Sequence, residues 1–295
     1  MKISYIAKKF QGKSMAVIHK ADEIIEEYAA MGYELTLRQL YYQFVARDLL
    51  PNTDKSYDQL GKIVSDARLA GLLDWNAIKD RTRHVRNLSH WDGPAEIIDA
   101  AIQSYRRDHW EGQGTYVEVW VEKDALIDVI EQAAEGEDIA CFSCRGYVSQ
   151  TAMWEAACRF IRNSRSKEDS VLLHFGDHDP SGIDMTRDIQ DRLDIFGANV
   201  EVKRIALTMD QVEQYNPPPN PAKLTDSRCV DYMNNYGEES WELDALEPPV
   251  LAALIEEHVA PYRDMDIWNA VLERENVERE ALGEAAENMR ERFAD

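Results

Sequence analysis

The chain is short of several features that would settle its class. Cysteine is scarce, with Cys141, Cys144, Cys158 and Cys229 as the complete set. Cys141 and Cys144 form a C-x-x-C, but a structural zinc needs about four ligands. No second C-x-x-C follows. Reduced thiols on a buried strand, Ile139-Ala140-Cys141-Phe142, are the simpler expectation. No apolar run reaches the roughly 18 residues that a membrane helix requires, so no membrane partner is expected. The first residues, Met1 to Lys9, lack the apolar stretch of a secretory signal, and a cytoplasmic location is expected. There is no Walker-type G-x-x-x-x-G-K-[ST] loop, and no segment reads as another ATP site. Basic residues are also few, with 33 Lys and Arg against 55 Asp and Glu and a net charge of −22. Such a field opposes the approach of nucleic acid.

That charge is unevenly placed. Residues 1–110 hold 16 basic and 15 acidic residues, which leaves 17 basic and 40 acidic for residues 111–295. A nucleic acid would therefore be held by a local basic surface in the first part, or through bound metal. A hydrophobic content of 44% with 30% charged residues describes a globular chain, long enough for one large domain or two ordinary ones.

The periodicity divides the chain at about residue 110. Residues 14–31 read as a helix. Thr36 is a plausible N-cap for a second helix running to about Leu49, and Thr53 or Ser56 for a third running to Gly71. Lys79, Arg81, Arg83 and Arg86 follow. Helix, turn, helix and a basic hairpin-like extension outline a winged-helix-like domain over residues 1–110. Gly93-Pro94 opens a further helix to about Trp110, and Glu111–Gly114 reads as a linker. Beyond it, strands expected at 116–121, 139–142, 171–175 and 200–206 alternate with helices, which implies a mostly parallel four-stranded sheet. The stretch 215–228 is too proline-rich for regular structure, and helices are expected at 248–260 and 265–292. The fold class is thus α/β, with C-terminal helices.

Two acidic motifs sit where apolar strands stop. Val119-Trp120-Val121 ends at Glu122, and His174-Phe175-Gly176 leads into Asp177-His178-Asp179-Pro180-Ser181-Gly182. Open α/β sheets bind ligands beyond the carboxyl ends of their strands. One glutamate and an Asp-x-Asp pair there form an oxygen ligand set suited to Mg²⁺, with Mn²⁺ as a substitute. Such an ion suits reactions at phosphodiester oxygens. Carboxylates so close would repel, raising at least one pKa unless a cation binds, and Glu122 could instead work as a general acid or base. Gly182 is expected to let the chain turn into the next helix. Glu118, earlier on the same strand, is a secondary candidate. The plain alternative is an acidic surface loop.

A strand ending in Glu followed by a strand ending in Asp-x-Asp-x-x-Gly resembles the Toprim domain of topoisomerases, primases, some nucleases and Spo11 proteins. The resemblance covers roughly residues 115–206. The Gly-Asp-x-Asp-Pro-x-Gly form looks most like the A subunit of topoisomerase VI and Spo11. In that family a nucleophilic tyrosine is the second of two aromatic residues after an arginine, and Arg38-Gln39-Leu40-Tyr41-Tyr42 is similar. Helical spacing independently puts Leu37, Leu40, Tyr41, Phe44 and Val45 on a core stripe, with Tyr42 off it and Arg38 one turn before Tyr42 on the same face. An arginine beside a phenol is expected to favour the phenolate and to hold a phosphate.

The resemblance implies Mg²⁺-dependent DNA strand cleavage in which Tyr42 forms a transient phosphotyrosyl bond to the 5′ end, each site being built from two subunits of a homodimer. Glu122, Asp177 and Asp179 would hold the metal. Lys62, Arg68, Arg81, Arg83 and Arg86 could line the DNA backbone, a solvated charged face being the plain alternative. Strand passage would need a separate ATPase subunit, and a DNA-bound protein would associate with the nucleoid. Two other functions stay open: a Toprim nuclease hydrolysing DNA or RNA with metal-activated water, and a non-catalytic DNA-bound assembly factor.

Overall fold

The computed structural model describes residues 1–78, 90–222 and 226–292. Arg81, Arg83 and Arg86 lie outside the described residues. The chain forms a mixed α/β structure around a four-stranded parallel sheet.

The first three helices are α1 (Gly12–Ala30), α2 (Leu37–Ala46) and α3 (Asp54–Leu69). Thr36 caps α2 through the amide of Gln39, whose side chain returns a bond to the Thr36 amide. Thr53 caps α3 through Ser56. The three helices share a core of Ile18, Ile24, Tyr28, Leu40, Phe44, Leu60 and Val64. Tyr41 packs there as its stripe predicts, its ring edge-on to Tyr57 and its hydroxyl accepting from the Thr53 amide. Helix α4 (Pro94–Ser104) is shorter than expected. It packs along the long C-terminal helix rather than on the first three.

The sheet contains β1 (Thr115–Val121), β2 (Ala140–Ser143), β3 (Asp169–Phe175) and β4 (Glu201–Ala206), in the order β2-β1-β3-β4. Helices α5 (Ile127–Gly136), α6 (Gln150–Asn163) and α7 (Pro180–Ile195) make the crossovers. Because β1 and β3 are central, their side chains are buried on both faces and read as nearly unbroken apolar runs. Val117, Val119, Val121, Val171, Leu173 and Phe175 face α5 and the later α10 (Pro248–Val259). Trp120 and Leu172 face α6 and α7. The helix α11 (Met265–Arg292) contributes Trp268 to the first of these layers.

Short elements escaped the periodicity: α8 (Met209–Tyr215), β5 (Asn220–Pro221), α9 (Cys229–Tyr236) and β6 (Glu239–Ser240). The stretch expected to lack regular structure thus pairs β5 with β6. The first half of the C-x-x-C is on an edge strand, so Cys141 is half-buried while Cys144 is buried, and both thiols are free. No helix among the described residues is long and apolar enough to cross a membrane.

Glu118 corrects its candidacy. It points to the α6 side of the sheet and is 1% exposed. Arg159 holds both of its oxygens, at 2.7 and 2.9 Å, and Tyr116 and Trp120 donate to it as well. It lies four residues before Glu122, away from the carboxyl end of β1, and it ties α6 to β1. Removing one member of a buried pair leaves the other uncompensated. Glu118→Ala is expected to destabilise the fold by about 3 kcal/mol, read as a lowered urea midpoint.

Candidate active site at the strand ends

The strand order reverses beside β1, so the crevice beyond the ends of β1 and β3 is where a ligand site is expected. The ladder runs one residue past β1: the Glu122 amide donates to the Phe175 carbonyl at 2.8 Å. This fixes Glu122 beside the loop after β3, where its Oε2 accepts the Asp177 amide at 2.9 Å. Asp179 is the N-cap of α7, its Oδ1 accepting from the Gly182 amide at 2.7 Å, and Pro180 opens the helix. The helix therefore starts at Pro180.

Gly182 lies inside that first turn, not at a bend before it. A Cβ there would meet the Asp177 carbonyl oxygen at 2.2 Å and Glu122 Oε2 at 3.0 Å. The glycine serves close approach of backbone to backbone. Beneath the loop runs Arg204 of β4, whose guanidinium donates to the carbonyls of Gly176, Asp177 and Gly182.

The structure adds Lys123 and places Glu242 and Asp244, two acidic residues whose position the sequence leaves open. Lys123 extends its ammonium among Asp177 (3.0 Å), Glu242 (3.1 Å) and Asp244 (2.8 Å). The Leu243 amide donates to Asp177 Oδ1 at 2.8 Å, so the Glu242-Leu243-Asp244 segment is tied to the Asp-x-Asp loop by backbone as well. Across it lies α2. Arg38 donates to Glu242 Oε2 at 2.8 Å and Tyr42 to the same oxygen at 2.6 Å. Arg38 and Tyr42 do share a helix face, as their spacing predicts. That face is covered by residues 242–245, so Tyr42 is only 4% exposed.

A cavity of about 520 Å³ opens here, lined by Arg38, Glu122, Lys123, Arg145, Asp177, Glu242 and Asp244 among others. Arg145 stands at its edge, exposed and paired with Asp124. The tyrosine face and the strand-end carboxylates thus meet within one chain. The geometry does not need a second subunit to bring them together.

The charges explain the protonation pattern. Burial pushes Asp177 up to about 7 against the pull of Lys123, with Glu122 and Asp244 adding to the rise. Burial also raises Glu122 and Asp244, helped by Asp179 and Glu242 respectively. Burial would raise Glu242 too, but Lys123, the Tyr42 hydroxyl and Arg38 outweigh it and hold it down to about 2. The expectation that Arg38 favours a Tyr42 phenolate is reversed. Burial, then Asp244 and Glu242, push the phenol above its ordinary value, so Tyr42 is a hydrogen-bond donor here.

The donor set suits a hard cation. It is all oxygen, its carboxylates raise one another's pKa values, and buried Asp244 Oδ2 has no hydrogen-bond partner. The side chains do not yet converge: among the described residues no three carboxylates, imidazoles or thiols gather as a ready ligand group. Lys123 stands among them instead.

Of the basic candidates, Lys62 is exposed on α3. Arg68 is turned inward, donating to the Trp75 carbonyl at 2.6 Å with its guanidinium 4.6 Å from the Trp75 ring. At the end of α3 it clamps the following turn.

Two buried histidines flank the loop. Burial, then Arg204, hold His174 down to about 3 and His178 to about 4, below the ordinary 6.5. The unfolded chain takes up these protons first, so their contribution to stability falls as pH drops from 6.5 toward 4. Asp177 has the opposite sign: the folded chain protonates it first, and its contribution rises as pH drops from about 7 toward the ordinary 3.8. Each group shifts stability by up to about 1.4 kcal/mol per pH unit in its window. Urea midpoints at two pH values, one neutral and one near pH 5, should therefore separate two variants. His174→Gln is expected to lose less stability on acidification than the parent, and Asp177→Asn more.

No family model matches the chain, and no curated protein matches it.

Proposed function

We propose that the chain cleaves DNA strands in the manner of a topoisomerase VI A subunit or Spo11, with Tyr42 as nucleophile. In this reading residues 1–110 are a winged-helix-like domain, and residues 111–295 a Toprim domain with a C-terminal helical extension. The observation that carries it is the meeting of Tyr42 and Arg38 with the carboxylates beyond β1 and β3, linked through Glu242 and Lys123. A planar cation and an acidic cluster lining one cavity, with a candidate nucleophile behind Glu242, form the constellation that phosphodiester transfer needs.

The Tyr42 oxygen bonds to phosphorus and the bond from phosphorus to the 3′ oxygen breaks, leaving the 5′ end on the tyrosine. The phenol gives up its proton and the 3′ oxygen gains one, so religation is the same exchange reversed. Arg38 orients a non-bridging phosphate oxygen. Where Glu122 keeps a proton instead of binding metal, it can supply that proton to the leaving oxygen. Glu122, Asp177 and Asp179 would hold Mg²⁺ or Mn²⁺, which supplies stabilisation of charge on the attacking and leaving oxygens. DNA, a homodimer and a separate ATPase subunit for strand passage belong to the same proposal.

One observation favours a second reading. Tyr42 is buried and held as a donor, which suits hydrolysis by water at the carboxylates with Tyr42 structural. Supercoiled plasmid incubated with Mg²⁺ or Mn²⁺ and quenched with detergent separates the two. Protein-linked ends that appear free only after proteolysis, lost by at least about a hundredfold in Tyr42→Phe and Asp177→Ala, are expected for tyrosine chemistry. Free ends without proteolysis, retained in Tyr42→Phe, would establish hydrolysis.

A further inference from the structure

Three donors converge on one oxygen at the boundary between the first helices and the sheet. Glu242 Oε2 accepts the Tyr42 hydroxyl at 2.6 Å, Arg38 Nη1 at 2.8 Å and Lys123 Nζ at 3.1 Å. They come from α2 and from the end of β1, and no motif puts them together. A phenol, a guanidinium and an ammonium aimed at a single point form an anion site. In this structure the anion is the protein's own. The Glu242 carboxylate is half-buried and heavily hydrogen-bonded, and it stands between the Tyr42 hydroxyl and the cavity.

We propose that Tyr42, Arg38 and Lys123 form the subsite for a phosphodiester oxygen of the DNA strand, and that Glu242 occupies it as an internal phosphate mimic which the strand must displace. This rests on the DNA-cleaving reading and names the atoms that would hold its substrate. A carboxylate and a phosphate offer the same acceptor oxygens to an arginine, so the exchange needs no new donor. Departure of Glu242 uncovers the Tyr42 hydroxyl at the moment a phosphate takes its place, which couples nucleophile exposure to substrate binding. Asp244 at 2.8 Å and Asp177 at 3.0 Å keep Lys123 in position when Glu242 leaves.

The proposal predicts a gain where loss of an active-site acid ordinarily brings a loss. Binding of a fluorescein-labelled DNA duplex is followed by anisotropy at fixed ionic strength, with Ca²⁺ as the divalent ion. Glu242→Gln and Glu242→Ala are each expected to bind about five- to tenfold tighter than the parent, because the internal competitor has lost its charge. Adding Arg38→Ala to Glu242→Gln should abolish that gain. A Glu242→Gln protein that melts like the parent and binds no tighter overturns the proposal. So does a gain that survives in the double variant, since Arg38 would then hold no part of the subsite, and so does an equal gain from Glu280→Gln, exposed on α11, since that would be an effect of net charge alone. Failure of the parent and both single variants to bind any DNA overturns the proposal and the DNA-cleaving reading together. If Tyr42→Phe still cleaves plasmid while the binding gain depends on Arg38, the subsite stands and the tyrosine chemistry falls.

Discussion

Everything at the sheet's carboxyl edge follows from crowded negative charge. Glu122, Asp177, Glu242 and Asp244 face one cavity, with Asp179 capping the helix behind them. A buried carboxylate without a partner costs several kcal/mol, so the fold supplies cations from three directions. Arg204 comes from below through the loop carbonyls, Lys123 from the end of β1, and Arg38 from α2. The result is unequal. Glu242, touched by two cations and a phenol, is held ionised, whereas Glu122, Asp177 and Asp244 keep raised pKa values. Such a spread separates groups that can move a proton from groups that hold charge.

The same constraint dictates local backbone choices. The loop after β3 must bring the Asp177 amide onto Glu122 while its carbonyls lie on Arg204, which leaves no room for a side chain at Gly182. Asp179 supplies an oxygen to the helix start and so cannot turn both of its acceptors into the cavity without uncapping α7. Asp177 is the more exposed to the chemistry, being held by a single amide on one oxygen and by Lys123 on the other.

Much of this was legible in the sequence where the signal is local. The strand ends at Glu122 and before Asp177 follow from apolar runs that stop. The starts of α2 and α3 follow from Thr36 and Thr53, and the shared face of Arg38 and Tyr42 from their spacing. What was not legible depends on which partner a side chain finds. Nothing in Glu242-Leu243-Asp244 says that it will close on α2, since the proline-rich stretch and the short α9 before it carry no period that fixes their path. Lys123 beside Glu122 reads as an ordinary surface lysine until Asp177, Glu242 and Asp244 surround it. Glu118 and Arg68 show the converse error: each has the residue type of a functional site, yet Arg159 and Trp75 hold them.

The covering of α2 by residues 242–245 also changes the argument about subunits. The family resemblance implies a site shared between two copies, the tyrosine from one and the carboxylates from the other. Here Ala245 packs against the core of the first three helices, and Glu242 bonds to both Arg38 and Tyr42. The segment that follows β6 therefore acts as a bracket between the helices and the sheet. It ties the two parts of one chain together through the same carboxylate that masks the phenol. Departure of Glu242 takes the shared acceptor from Tyr42, Arg38 and Lys123 together, because all three donate to one oxygen. In the proposed DNA-cleaving function, a substrate phosphate would replace that oxygen for all of them at once, so that exposure of Tyr42 and positioning of the strand would be a single event.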